Sequence, residues 1–235
     1  MTAHFTEESF DFLEQLEHHN DRPWFTEHKD TYERELKARM LEVVADVNTR
    51  LATFAPDHVR SPAKAMMRIY RDVRFAKDKT PYKTTMSAYW PRQGLEKSGA
   101  AGFFVQIGAH GVMVAGGAYS PGPAQLLAVR RYLLEHHEVL RAILNDPALT
   151  SRTDPFDGQQ LVRAPRGFSP EHPALDLLRC RRYAVTTTLP FDVALRPDFA
   201  DTVAEHFALM TPLVNALNGP LALATPIQVA AQVGR

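Results

Sequence analysis

The chain has 235 residues, of which 45% are hydrophobic and 23% are charged, and its formal net charge is zero. This composition is typical of a folded globular protein and excludes disordered and fibrous classes. A dedicated nucleic-acid coat or membrane-surface protein usually carries a large positive excess. The zero net charge therefore argues against both classes, without excluding a local cationic patch.

The first predicted elements are two helices, recognised by apolar residues at helical spacing. Phe10, Leu13 and Leu16 predict a short amphipathic helix over residues 6–18. The turn-forming residues of NDRP end that helix, and a long helix then continues to Pro56. Its apolar stripe consists of Trp24, His28, Tyr32, Leu36, Met40, Val43, Val47, Leu51 and Phe54. The stripe predicts that one face of the long helix packs against a core.

Near residue 65 the apolar period changes from 3.6 to 2, which indicates a β-sheet. Strands are predicted at residues 66–75, 84–90, 103–107, 112–119 and 183–189. The links between the first four suit antiparallel neighbours, because parallel strands need longer crossover connections. Gly116 and Gly117 are expected to mark a β-bulge rather than the close approach of a ligand.

The remaining chain predicts a helix after the SPGP sequence at residue 120, a loop-rich stretch and a last helix at about 197–217. No Gly- or Ser-rich linker divides the sequence, so we expect a single domain over residues 1–235. Its parts are a helical N-terminal region (1–60), a sheet (65–120) and a C-terminal region of helices and loops (121–235). The predicted fold class is α+β: an antiparallel β-meander of four or more strands packed against several helices, including the long N-terminal helix.

Cysteine content and the first residues predict a cytoplasmic protein. Cys180 is the only cysteine and cannot form an intramolecular disulfide, which fits a reducing compartment. The N-terminal sequence MTAHFTEESF carries carboxylates where a secretory signal would carry Lys or Arg. No apolar run approaches the roughly 20 residues that cross a bilayer, so we expect no membrane association.

The densest charge lies in RIYRDVRFAKDKTPYK, residues 68–83, which we call the cationic segment. It contains six Lys or Arg residues and two Asp residues. In a strand, alternation would place Ile69, Arg71, Val73 and Phe75 on one face and Arg68, Tyr70, Asp72 and Arg74 on the other. Arg71 would then lie among apolar neighbours, where an unpaired guanidinium is costly. We therefore expect Arg71 to face a carboxylate or a bound anion.

Three interpretations of the cationic segment remain open. The leading hypothesis is a pocket on the polar face of the meander for a small anionic ligand that carries phosphate or carboxylate. The alternative is a non-catalytic module that docks an acidic protein or nucleic acid, with Tyr70, Phe75 and Tyr82 stacking on bases. In the third interpretation the segment forms a purely structural salt-bridge network with the twelve carboxylates of residues 1–46.

The candidate ligand-binding residues are Arg68, Tyr70, Arg71, Asp72, Arg74, Lys77, Lys79, Tyr82, Lys83 and Arg166. If the site is catalytic, Asp72 or His172 would carry a proton, and the arginines would stabilise developing negative charge. Whether the protein is an enzyme stays open. The sequence contains no H-E-x-x-H, C-x-x-C or phosphate-binding glycine motif, so we expect neither a metal site nor a cofactor.

Four stretches carry a resemblance to a known family: NDRPWFTEHKDTYE (20–33), RIYRDVRFAKDKTPYKT (68–84), VAGGAYSP (114–121) and APRGFSPEHPALDLLR (164–179). With them the chain resembles a widespread bacterial family of uncharacterised proteins, domain of unknown function 2461. Ala76 stands where we expect serine in relatives. The resemblance implies a single-domain protein and no particular reaction. It also implies that the cationic segment and the PRGF loop around Arg166 belong to one working surface.

Overall fold

The computed structural model, which describes residues 4–95 and 99–224, contains an antiparallel sheet of four strands. The strands neighbour one another in chain order: β1 (Thr85–Pro91), β2 (Gly102–Gly108), β3 (Gly111–Ala118) and β4 (Tyr183–Leu189). Each strand pairs antiparallel with the next. The predicted α+β class with an antiparallel meander is confirmed.

The predicted strand at residues 66–75 is wrong, because the chain folds back on itself in this region. Tyr70 forms an isolated bridge with Tyr82, so the two residues lie on opposite arms of a loop. The alternation in the sequence does not mark the two faces of a strand. Ile69 is 1% exposed, whereas Phe75, which would share its face, is 95% exposed.

Both outer strands of the sheet are partly covered along their outer edges. Beside β1, Met66 forms an isolated bridge with Ala88. Beside β4, the amide of Asp154 donates to the carbonyl oxygen of Thr186 at 2.7 Å, and its carboxylate accepts a hydrogen bond from the Thr186 hydroxyl at 3.0 Å. Segments outside the sheet therefore satisfy part of the hydrogen-bonding capacity of each edge.

The helices lie before, between and after the strands along the chain. They are α1 (Glu7–His18), α2 (Arg22–Glu27), α3 (Lys29–Thr31), α4 (Arg39–Phe54), α5 (Pro62–Ala65), α6 (Pro123–Leu144), α7 (Pro147–Thr150), α8 (Leu175–Leu178) and α9 (Phe199–Ala224). Short 3₁₀ turns at Pro56–His58 and Phe191–Leu195 complete the helical part. Among the described residues, no helix combines the length and the hydrophobicity needed to span a membrane.

The sheet has one covered face and one open face. On the covered face α9 packs against the strands, and its Phe207 ring lies 5.3 Å from the Trp90 ring and 4.9 Å from the Phe103 ring. By alternation, Phe104 and Met113 point to the opposite face, where they are only partly buried. The core of the protein therefore lies between the sheet and its helices.

The predicted long N-terminal helix forms, but with an interruption. α2 ends at Glu27, and an unbroken helical stretch then runs through α3, a π-helical turn (Tyr32–Ala38) and α4. The core stripe of this stretch is confirmed, because its members Tyr32, Leu36, Met40, Val43, Val47 and Leu51 are buried. The break falls at His28, whose ring stacks on Trp24 at 4.1 Å.

The π-helical turn places a carboxylate, Glu35, in the interior at 4% exposure. Glu35 accepts hydrogen bonds from Arg39 at 2.6 Å, from Arg34 at 2.8 Å and from the hydroxyl of Thr6 at 3.0 Å. These hydrogen bonds, that from Arg39 above all, outweigh the opposing effect of burial and lower the pKa of Glu35 to about 2. The network ties the start of α1 to the long helical stretch.

Glu35→Gln should lower the free energy of unfolding by about 3 kcal/mol at neutral pH, because Arg39 loses its carboxylate partner and Arg34 keeps only Glu8. The folded-state pKa lies below the ordinary value of 4.5, so this stabilisation is present above that pH and is lost as the pH falls towards about 2. Urea unfolding at several pH values should show the two proteins converging in acid. Glu33→Gln, which removes the more exposed pair with Lys37, should cost less than about 0.5 kcal/mol. Equal effects of the two substitutions would contradict the stabilising role of Glu35.

The predicted β-bulge at Gly116 and Gly117 is wrong, because the pairing register continues through both residues. Gly116 instead lies beneath α9, where a Cβ atom would come within 2.6 Å of the Met210 Cβ. Gly117 has a φ of +130°, a conformation that favours glycine. The missing side chain at position 116 therefore allows α9 to pack closely on β3.

Gly116→Ala should destabilise the protein by about 1–3 kcal/mol, because the added methyl group overpacks the contact between α9 and the sheet. Gly219→Ala in α9 is the matched control, since its Cβ would meet nothing within 4 Å. This control should be neutral or stabilising by up to about 1 kcal/mol, because alanine favours a helix more than glycine does. Thermal unfolding measures the stability of both variants relative to the wild type. A Gly116→Ala protein as stable as the Gly219→Ala control would refute the packing argument.

Candidate functional site

The cationic segment forms an exposed loop whose two arms meet at its base. The Tyr70–Tyr82 bridge joins the arms, and the amide of Lys83 donates to the carbonyl of Ile69 at 2.8 Å. Ile69 and Tyr82 are buried, whereas the turn between the arms is mostly exposed. The segment is therefore a surface loop attached to the core at its base, and not a wall of the meander.

The turn between α1 and α2 anchors this loop. The side-chain amide of Asn20 donates to the backbone carbonyl of Tyr82 and accepts from its backbone amide, both at 3.0 Å. The Phe25 ring of α2 stacks on the Tyr82 ring at 4.0 Å. Two of the stretches noted in the sequence, NDRPWF and the PYK end of the cationic segment, thus meet in space.

Both carboxylates of the cationic segment pair with arginines of the same segment. Arg71 Nη1 donates to Asp78 Oδ2 at 2.6 Å and also bonds to the side chain of Thr80. Arg74 donates two hydrogen bonds to Asp72, at 2.9 and 2.7 Å. Arg71 therefore faces a carboxylate, as expected, but that carboxylate lies seven positions along the same loop and not within residues 1–46.

Hydrogen bonds keep both of these carboxylates ionised. The Thr80 amide and the Arg71 side chain contribute most to lowering the pKa of Asp78 to about 2. The pKa of Asp72 is lowered as well, mainly by its hydrogen bonds from Arg74. Asp72 is thus a half-exposed partner of an arginine, and its low pKa does not favour the proposed role as a proton carrier near neutral pH.

Arg68, Lys77 and Lys79 form no ion pair with a carboxylate of the described residues, although the charge of Arg68 contributes to lowering the pKa of Asp72. Arg68 and Lys77 are exposed and make no hydrogen bond or ion pair with any described residue. Lys79 donates to the carbonyl oxygen of Val73 at 3.0 Å. These three side chains therefore present positive charge to solvent.

The cationic segment also exposes two aromatic side chains. Phe75 is 95% exposed, and the Arg74 guanidinium carbon lies 5.9 Å from its ring centroid. Tyr70 is 50% exposed. Together with the exposed cations they form a surface that we call the outer surface of the cationic segment: Arg68, Tyr70, Arg74, Phe75, Lys77 and Lys79.

The remaining candidates lie in the loop between α7 and α8. Arg166 is exposed and makes no hydrogen bond or ion pair within the described chain. His172 Nδ1 accepts a hydrogen bond from the Ala174 amide at 3.1 Å, and its ring lies 5.7 Å from that of His137. No hydrogen bond, ion pair or ring contact joins Arg166 or His172 to residues 68–83 in the described structure. A shared working surface with the cationic segment stays a prediction.

Three cavities formed by described residues are lined by no residue of the cationic segment. One of about 250 Å³ lies on the open face of the sheet around Phe104 and Met113. A second, of about 960 Å³, lies between α6 and α9. The third, of about 460 Å³, lies beside Arg60 and Arg92. Sequence reasoning missed this last cavity because Arg60 and Arg92 are about thirty positions apart and form no charge run.

The described residues bring no three His, Cys, Asp or Glu side chains together as metal ligands. The adjacent histidines at 136 and 137 illustrate why. The His136 ring stacks on Tyr132 at 4.5 Å, whereas His137 faces His172. Neighbouring side chains on a helix point in different directions and do not converge on one ion.

Residues 8–215 match the model of a family described as a conserved hypothetical protein (DUF2461). The match spans all four stretches on which the sequence resemblance rests, and the resemblance is confirmed. No curated protein and no solved structure matches the chain.

Asp78→Asn should loosen the loop, because Arg71 and Thr80 lose their anionic acceptor. Backbone amides in residues 71–81 should exchange hydrogen several-fold faster than in the wild type, as measured by mass spectrometry. In the wild type the same protection should fade as the pH falls through the lowered pKa of Asp78, about 2. Asp157→Asn is the control, since its carboxylate caps a separate turn at Gln159 at 3.0 Å. Unchanged exchange in Asp78→Asn would show that the internal ion pair does not order the loop.

Proposed function

Because the chain belongs to the DUF2461 family, whose description names no activity, we propose a function from the geometry of the cationic segment: it binds single-stranded nucleic acid. The observation that carries the proposal is the nearly complete exposure of Phe75, at 95%, on a loop whose Arg68, Lys77 and Lys79 form no ion pair with a described residue. A bare aromatic ring beside positive charges is the combination that single-stranded nucleic acids contact, through base stacking and phosphate pairing.

The aromatic part of this surface supplies stacking planes. Leaving a phenylalanine side chain in water forgoes about 1.5–3 kcal/mol relative to burying it. A base that stacks on such a ring recovers about 1–3 kcal/mol, and the interaction tolerates any base. Tyr70, at half exposure, offers a second plane on the same loop.

The charged part of this surface supplies phosphate contacts. Asp72 and Asp78 are already engaged by Arg74 and Arg71, and these internal pairs hold the loop in shape. Arg68, Lys77 and Lys79 remain for an external anion. Three phosphates neutralised on a single strand predict a slope of about −2 for the logarithm of the binding constant against the logarithm of the salt concentration.

A small ligand enclosed by the cationic segment is the less favoured hypothesis. Sites for small molecules are concave and cover most of the ligand surface. Arg74 and Phe75 are instead exposed at 76% and 95%, and the three cavities described above are lined by other residues. The geometry of the segment therefore favours the docking module over the enclosed pocket.

Fluorescence anisotropy with a short labelled single-stranded oligonucleotide tests the proposal at several salt concentrations. Phe75→Ala should weaken binding about tenfold through the loss of stacking, with little change in the salt slope. Lys77→Gln should weaken binding at low salt and reduce the magnitude of the slope by about 0.7. A duplex of the same sequence should bind less tightly, because its bases are already stacked.

Two matched variants control for non-specific effects. Phe191→Ala removes an aromatic ring that is 43% exposed on a different element, and Arg131→Gln removes an exposed cation of α6. Both should bind the oligonucleotide as the wild type does. Equal affinities of Phe75→Ala and wild type would overturn the proposal. Stronger binding to an acidic peptide or to anionic vesicles than to the oligonucleotide would assign the surface to another class of partner.

A further inference from the structure

A cavity of about 460 Å³ lies where the chain leaves β1, bordered on its other side by the residues that lead into α5. Arg60, Lys64 and Arg92 line it, together with Ser61 and Gln93. None of the described residues that line this cavity is acidic. Three cations from two separate parts of the chain therefore meet around one concave space.

The carboxylate that pairs with Arg92 neutralises little of this charge. Asp57 lies 3.3 Å from Arg92, and both side chains of the pair are well exposed, at 65% and 40%. Such exposed pairs contribute little, because water screens the attraction. The side chains of Arg60 and Lys64 have no hydrogen bond or ion pair with any described residue. The described lining of the cavity consequently carries a positive excess within a chain of zero net charge.

Arg60 is the unusual member of the group. Its Nε atom is buried and has no hydrogen-bond acceptor among the described residues. Buried polar groups nearly always have a partner, and an unpaired one is costly. An anion in the cavity would give the guanidinium of Arg60 an acceptor.

The backbone around Arg60 is held by hydrogen bonds from partly buried groups. Asn48 donates to the carbonyl of Arg60 at 2.7 Å and accepts from the Trp90 indole at 2.9 Å. Across the cavity, the Gln93 amide donates to the carbonyl of Asp57 at 2.8 Å. Both walls are thus fixed before any ligand arrives, which reduces the entropic cost of binding.

We propose that this cavity binds a small molecule through its phosphate group. Arginine presents a planar fork that matches phosphate, and lysine adds a mobile point charge, so two arginines and one lysine suit a dianionic group. The volume lies within the range of small-molecule sites and leaves room for an organic group attached to the phosphate. The site shares no residue with the outer surface of the cationic segment. This proposal can therefore be tested independently of nucleic-acid binding.

Thermal unfolding with inorganic phosphate, a sugar phosphate and a mononucleotide, each at matched ionic strength, tests the site. Saturating phosphate ligand should raise the Tm of the wild type by several degrees relative to chloride. Arg60→Gln and Lys64→Gln should each weaken the binding, measured by calorimetry, about tenfold or more. Lys64 is exposed, so its replacement should not disturb folding. If Arg60→Gln proves unstable, the phosphate affinity of Lys64→Gln still tests the site.

Lys77→Gln in the cationic segment is the matched charge control and should bind phosphate ligands as the wild type does. In the reverse experiment, Lys64→Gln should leave oligonucleotide binding unchanged. No preference for phosphate over chloride would overturn the site, as would an equal loss of phosphate binding in Lys64→Gln and Lys77→Gln. An organic phosphate that binds no more tightly than inorganic phosphate would restrict the site to the free ion and overturn the assignment to a larger molecule.

Discussion

The close packing of α9 on the sheet is the contact on which the other parts of the fold depend. This helix touches β2, β3 and β4 on one side and α4 and α6 on the other. Gly116 sets the distance of approach, and the buried amide of Asn218 sets the position along the strands, because it bonds both backbone groups of Ala101 at 3.0 and 3.3 Å. Since α4 packs on the same helix, the N-terminal region that anchors the cationic segment is also positioned through α9.

A chain without net charge can still separate its charges in space, and this one does so by different means in two places. In the cationic segment, two carboxylates are used to stiffen the loop, and the remaining cations face solvent beside Phe75. Around Arg60 the cations instead surround a concavity in which the described lining residues include no carboxylate. The first arrangement suits an extended polyanion and the second suits a compact anionic group.

Regular periodicity was the part of the sequence that predicted structure correctly. The stripe from Tyr32 to Leu51 and the strands after residue 84 follow from burial of one face, which imposes its period on the residues. The loop at 68–83 alternates for another reason: Ile69 and Tyr82 anchor its base while the charges pair across it. Local pattern cannot separate these two cases. The cavity at Arg60 and Arg92 depends on residues that only tertiary packing brings together, so no sequence spacing indicated it.

The bridge between Met66 and Ala88 has a consequence for how copies of this protein behave towards one another. An open strand edge offers unpaired amides and carbonyls to the edge of another molecule, which is a route to intermolecular sheets. Here the stretch leading into the cationic segment occupies part of one edge, and Asp154 occupies part of the other. The residues just before the cationic segment thus shield part of the sheet edge, so the chain that leads to an exposed phenylalanine also limits edge-to-edge association between copies.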